Sequence, residues 1–213
     1  MPEIKLLDLM LEHQDRLNSR IHPEWREQRF PWHRAIWMEC AELMDCFPWK
    51  WWAKGETDWD NVKIELADLW HFILSWVLQT EMPLDEVEFH YQVAEANYKN
   101  PSFPGLPKLV DALAESALLE KPYTCCLIFF NLIFYCGLNL QNLAKIYFGK
   151  NTLNRFRQKH GLKEGRYTRL WNGVEDNKVM LRLIKDLEVL PLERFEAELT
   201  KRLEEAYAKA KHD

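Results

Sequence analysis

AIWMECAELMDC (35–46) and NVKIELADLWHF (61–72) are the two stretches whose reading decides the fold. In both, apolar residues recur every three or four positions, which is the period of a helix. Each also carries two acids three residues apart, Glu39 with Glu42 and Glu65 with Asp68. That spacing puts both members of a pair on one helix face. Taken singly, such a pair is most often a solvated face. Here Ile36, Trp37, Cys40 and Leu43 surround the first pair, and Ile64, Leu66, Leu69 and Trp70 the second. Carboxylates among apolar side chains are costly unless paired or metal-bound. Two such helices side by side would aim four carboxylates at one point, a set of hard oxygen donors suited to Mg²⁺. Mg²⁺ held by carboxylates points to phosphate chemistry.

Outward from these stretches the helical period continues. Helices are predicted over 3–19, 33–46, 59–79, 84–98, 107–119, 122–136, 140–150, 151–160, 174–188 and 192–211. Pro83, Pro107, Pro122 and Pro191 fall at or near four of the starts, where proline is tolerated. The seven glycines read as helix ends and turns. Alternating strand patterns are scarce, so the predicted class is all-α, a multi-helix bundle with a carboxylate-lined site. A single domain over 1–213 is expected. The NPSFPGLP turn (100–107), with three prolines and a glycine, is a candidate hinge between two helical lobes.

The chain has 213 residues, 47% of them hydrophobic, enough for a proper core. Its net charge of −5 argues against nucleic acid as the partner. Five cysteines without metal-ligand spacing read as buried thiols of a reducing cytoplasm. YTCCLIFFNLIFYCGL (123–138) is the most apolar run. It is shorter than the ~20 residues that span a bilayer and reads as a buried helix, a candidate for a subunit interface, with no membrane partner expected. Charge is unevenly spread. Glu39 to Asp68 holds eight acids against Lys50, Lys54 and Lys63, and Asn151 to Gly173 holds six cations against Glu164. An acidic and a basic half-site suit a metal-bound polyanion; a surface salt-bridge network is the alternative.

HQDRLN (13–18), ECAEL (39–43), PWKWW (48–52), ELADLWHF (65–72) and NTLNRFRQKHGLKEGRYTRLWNGVEDN (151–177) stand in an order that resembles the dimeric all-α dUTPases, within the all-α NTP pyrophosphatase superfamily. The two acidic pairs alone would indicate only the superfamily; the other segments narrow it. The resemblance implies hydrolysis of dUTP and dUDP to dUMP by a cytoplasmic homodimer. It further implies Mg²⁺, more than one per site, on Glu39, Glu42, Glu65 and Asp68. Asn18 would meet the uracil, with Gln14 one turn earlier, and Trp51 and His71 would line the nucleoside pocket. Phosphate contacts fall to Asn151, Asn154, Arg157, Lys163, Tyr167 and Arg169. The chain departs from the family pattern at Leu162, where an aromatic is usual, and at Arg169, where lysine is frequent.

The chemistry is consistent from the residues upward. A triphosphate repels a nucleophile until cations offset its charge. A carboxylate not saturated by metal can accept the attacking water's proton; Glu39 is the first choice and Glu42 the alternative. An asparagine amide offers a donor and an acceptor that match uracil O4 and N3–H, provided that the amide is held one way round. Asn18→Ala should then cost far more dUTP turnover than Asp15→Ala. Three rivals remain at this stage: a relative acting on dCTP or several nucleotides, a di-iron carboxylate protein, and a helical interaction module. The di-iron reading lacks the paired Glu-x-x-His motifs it needs.

Overall fold

Asp58 begins the helix on which the site depends: its side chain accepts a hydrogen bond from the Asn61 backbone N–H at 3.1 Å, an N-cap that satisfies one of the orphan donors of the first turn. From there α3 runs Trp59–Gln79 without a glycine or proline. The computed structural model describes residues 2–98 and 105–212. Among them the order is α1 (Glu3–Ile21), α2 (Trp32–Asp45), α3, α4 (Leu84–Tyr98), α5 (Leu106–Leu118), α6 (Pro122–Tyr135), α7 (Leu140–Lys159), β1 (Leu170–Trp171), β2 (Val174–Glu175), α8 (Asp176–Asp186) and α9 (Leu192–His212). The all-α class holds, and most predicted bounds lie within a residue or two of these.

The chain forms two units, Met1–Ala144 and Lys145–Asp213, with the division inside α7. In the first, α3 packs against α1, α2 and α6, and α6 against α4 and α5. Trp70 of α3 is fully buried, stacked on Phe129 with ring centroids 5.0 Å apart and planes 5° apart, and its indole N–H points at Met10 Sδ. Such offset aromatic pairs add about 0.5–1.5 kcal/mol beyond the area they bury. Cys125, Cys126 and Phe129 to Phe134 of the apolar run on α6 are buried inside this unit. Most of the candidate hinge at 100–107 lies outside the described residues. No single described helix is long and apolar enough to cross a membrane. All five cysteines are free thiols.

In the second unit, Phe156, Tyr167, Trp171 and Tyr207 pack ring against ring, with centroids 5.1 to 6.4 Å apart. Two expectations are corrected here. The predicted helices 140–150 and 151–160 are one helix, α7, because Gly149 is not a break. A Cβ at Gly149 would lie 2.6 Å from Ile184 Cδ1, so the glycine lets α8 approach closely. Residues 170–175 form a small antiparallel hairpin in place of the start of a helix. Its turn residues Asn172 and Gly173 both have positive φ, 50° and 78°, the combination that a tight two-residue hairpin requires.

Candidate active site

Packing of α2 against α3 brings Glu39, Glu42 and Glu65 together, with one carboxylate oxygen of each within 4.8 Å of the other two. Asp68 stands outside that trio, but its charge is felt there. The Glu39 carboxyl is pushed up to about 8, first by burial, then by the charges of Asp68, Glu42 and Glu65, and by a hydrogen bond with Glu65. Like charges this close cannot all ionise without a cation or a shared proton. Burial, followed by nearby acids including Glu65, raises the Cys46 thiol to about 12. The available donors are therefore carboxylate oxygens and not thiolates, a set that fits a hard divalent cation.

Along the same face of α3, at steps of three, three and four, come Asp68, His71 and Ser75 after Glu65. Here α1 contributes Gln14 and Asn18, one turn apart and both buried. Gln14 Nε2 donates to Asn18 Oδ1 at 3.0 Å and to Ser75 Oγ at 3.1 Å, and Asn18 Nδ2 donates to Ser75 Oγ at 2.9 Å. Gln14 Oε1 lies 2.9 Å from His71 Nδ1. Gln14, Asn18 and His71 thus form one polar group inside the first unit. Trp51 does not join it. Its side chain is 90% exposed, edge-on to Trp52 in the loop between α2 and α3.

In the second unit the expected phosphate residues separate into two kinds. Arg157 and Tyr167 are buried and turned on Asp176, which is itself 1% exposed. Asp176 accepts from Arg157 Nε at 2.8 Å, from Arg157 Nη2 at 2.7 Å and from the Tyr167 hydroxyl at 2.6 Å. Burial disfavours the Arg157 charge, but the Asp176 hydrogen bonds and charge outweigh it, so the guanidinium is held protonated more firmly than usual. For Tyr167, burial and then the same carboxylate raise the phenol. Asn151 is buried as well, donating to the Tyr147 carbonyl at 3.1 Å. Asn154, Lys163 and Arg169 are exposed, and Asn154 Oδ1 accepts from Arg157 Nη1 at 3.1 Å.

A family model described as dUTPase matches residues 6–162. The chain belongs to the dUTPase family. Membership supports dUTP diphosphatase activity on this all-α fold. Comparison with curated proteins found no significant match. The dUTPase match takes in both acidic pairs, Gln14, Asn18, Trp51, His71, Asn151, Asn154 and Arg157, and ends before Lys163, Tyr167 and Arg169. Two participants in these networks escape the sequence reading: Ser75 and Asp176. The signal for Ser75 was a lone hydroxyl four residues after His71 in an apolar helix. For Asp176 it was an acid three residues after Gly173, in the EDN stretch (175–177).

Proposed function

We propose that this chain hydrolyses dUTP, and dUDP with it, to dUMP in a Mg²⁺-dependent reaction, limiting uracil incorporation into DNA and supplying dUMP for thymidylate synthesis. The observation that carries the reading is the stripe on α3. One helix face holds acids at Glu65 and Asp68 and a buried amide-and-imidazole group at His71 and Ser75. From Glu65 to Ser75 the helical rise amounts to about 15 Å, a span that suits phosphates at one end and a base at the other.

On this reading Glu39, Glu42, Glu65 and Asp68 hold Mg²⁺, more than one ion, since four carboxylates exceed what one partly hydrated Mg²⁺ takes. When bound, the metal offsets phosphate charge and makes water a better nucleophile. Glu39, through an oxygen not saturated by metal, takes up the water's proton, and Glu42 is the alternative. Asn18 reads the uracil, while Gln14, His71 and Trp51 bound the nucleoside. Asn154, Lys163 and Arg169, with exposed polar ends, are the direct phosphate ligands; Asn151, Arg157 and Tyr167 shape the segment that carries them.

We further infer a homodimer in the cytoplasm. Support for a partner surface comes from Leu118, Leu119 and Tyr123 around the α5–α6 turn, all exposed. A sedimentation profile showing only monomer at micromolar concentration would overturn the dimer.

The test of the function is hydrolysis to the monophosphate of dUTP, dUDP, dCTP, dTTP and UTP with Mg²⁺, with Glu39→Gln and Glu65→Gln alongside. Preference for dUTP, lost in both variants, is the expected result. Preference for another nucleotide would keep the acids and discard Asn18 as the base reader.

A further inference from the structure

We propose that Ser75 sets the direction in which the base-reading amides face, and so determines specificity for uracil. The inference rests on the reading of Asn18 as the residue that meets the base. Ser75 is 1% exposed on α3, and its hydroxyl donates to the His71 carbonyl oxygen, one turn back, at 2.8 Å. That bond uses the only proton a serine hydroxyl has. Two lone pairs remain, and two amide nitrogens take them: Gln14 Nε2 at 3.1 Å and Asn18 Nδ2 at 2.9 Å. An oxygen whose proton is committed cannot donate, so both amides must turn their NH₂ groups towards it.

The rest of the network then has one consistent arrangement. The second N–H of Gln14 Nε2 goes to Asn18 Oδ1. Gln14 Oε1, pointing the other way, faces His71 Nδ1. An acceptor there requires the neutral imidazole to carry its proton on Nδ1. Reversing any one amide would set donor against donor or acceptor against acceptor in a buried place, where the cost of a lost partner is highest.

The base meets the outcome of this arrangement. Among the described residues these bonds occupy one hydrogen of Asn18 Nδ2 and one lone pair of Asn18 Oδ1. Gln14 Nε2 and Ser75 Oγ, 3.1 Å apart, take the converging edge of the Asn18 amide, so the N–H and the lone pair that remain point apart and one of them meets the base: the N–H at uracil O4 or the lone pair at uracil N3–H. Cytosine presents an amino donor and an unprotonated N3, the reverse pattern. To pair with it, Asn18 would have to flip, with Oδ1 against the Ser75 oxygen and NH₂ against Gln14 Nε2. Ser75 therefore acts as a positioning residue through Asn18 and Gln14.

The experiment compares kcat/KM for dUTP and dCTP in wild type, Ser75→Ala, Ser75→Cys and Ser75→Thr, well below each melting temperature. Long-range ¹H–¹⁵N NMR of the His71 ring in the nucleotide-free wild type accompanies it. We expect the Nδ1-protonated ring, a fall of about tenfold or more in the dUTP-to-dCTP ratio for Ser75→Ala, and a ratio near wild type for Ser75→Thr. Ser75→Cys carries the test if the alanine variant fails to fold, because sulfur fills the site but is a weak acceptor. An unchanged ratio in Ser75→Ala or Ser75→Cys, with wild type still preferring dUTP, would overturn the role of Ser75 alone, as would an Nε2-protonated His71. Wild type without preference for dUTP over dCTP would overturn the base-site reading and this proposal with it.

Discussion

Arg157 and Asp176 form a buried, two-pronged ion pair, Nε to Oδ2 at 2.8 Å and Nη2 to Oδ1 at 2.7 Å. Two N–H donors of a rigid guanidinium meeting both oxygens of one carboxylate is the geometry in which a buried pair is held most firmly. Removing one partner strands the other charge, at about 3–5 kcal/mol. We predict a loss of that size for Asp176→Ala in urea denaturation. The double variant Arg157→Met with Asp176→Leu should lose much less than the two single variants combined. By contrast, Lys159→Ala breaks an exposed bridge to Glu204 and should cost about 1 kcal/mol or less. A cost below about 1 kcal/mol for Asp176→Ala would show that the pair does not hold the segment.

Glu39 yields a pH prediction. Its folded-state value, about 8, lies above the ordinary 4.5. A raised value means that the folded protein binds the proton more tightly than the unfolded chain. The resulting stabilisation is complete below about pH 4.5 and is lost as pH rises through about 8. The metal-free protein should therefore lose melting temperature across that window relative to Glu39→Gln, which lacks the titration. Mg²⁺ competes with the proton, so it should raise the wild-type melting temperature more near pH 8 than near pH 5.5. Parallel melting curves for wild type and Glu39→Gln from pH 5 to 8 would contradict the packed acidic cluster.

Trp51 and Trp70 should respond in opposite ways. Trp51 touches little, so Trp51→Ala should change unfolding free energy by no more than about 0.5 kcal/mol, and on the proposed reading it raises KM for dUTP. Trp70 fills the core between α1 and α6, and Trp70→Ala should cost about 3–5 kcal/mol. Chemical denaturation and steady-state kinetics on the pair separate binding from folding. A clear stability loss in Trp51→Ala would mean that the aromatic loop packs on the core.

Asn18→Ala needs a control chosen from the structure. Asp15 is not inert: it accepts from the indole N–H of buried Trp25 at 3.1 Å and pairs with Arg26. Asp15→Ala should therefore cost about 1 kcal/mol of stability with kcat/KM near wild type. Glu12, in an exposed bridge to Arg16, is the neutral comparison. Of the three alanine variants only Asn18→Ala should lose most dUTP turnover; equal kcat/KM in all three would remove Asn18 from the site.

What the sequence reveals depends on how far apart the cooperating residues lie. Helices α1 to α6 were legible because each buries a face whose apolar spacing repeats over several turns. Glu39, Glu42, Glu65 and Asp68 were legible because each pair declares itself within four residues, although Asp68 is not one of the three carboxylates in closest approach. Gly149 misled because glycine usually ends a helix, and only the packing of Ile184 shows why it sits inside one. The hairpin at 170–175 is too short to alternate visibly. Ser75 and Asp176 draw their meaning from partners 57 to 61 and 9 to 19 residues away, and no local pattern encodes such a meeting.

The uninterrupted course of α3 has a consequence for how this chain can change over generations. Surface loops absorb insertions and deletions at little cost, but a helix turns by about 100° with every residue. One residue gained or lost between Asp68 and His71 would leave the acids in place and swing His71 and Ser75 off the face they share with Gln14 and Asn18. The segment 66–74 is therefore fixed in length, and a lineage that altered its length would have to rebuild one end of the site.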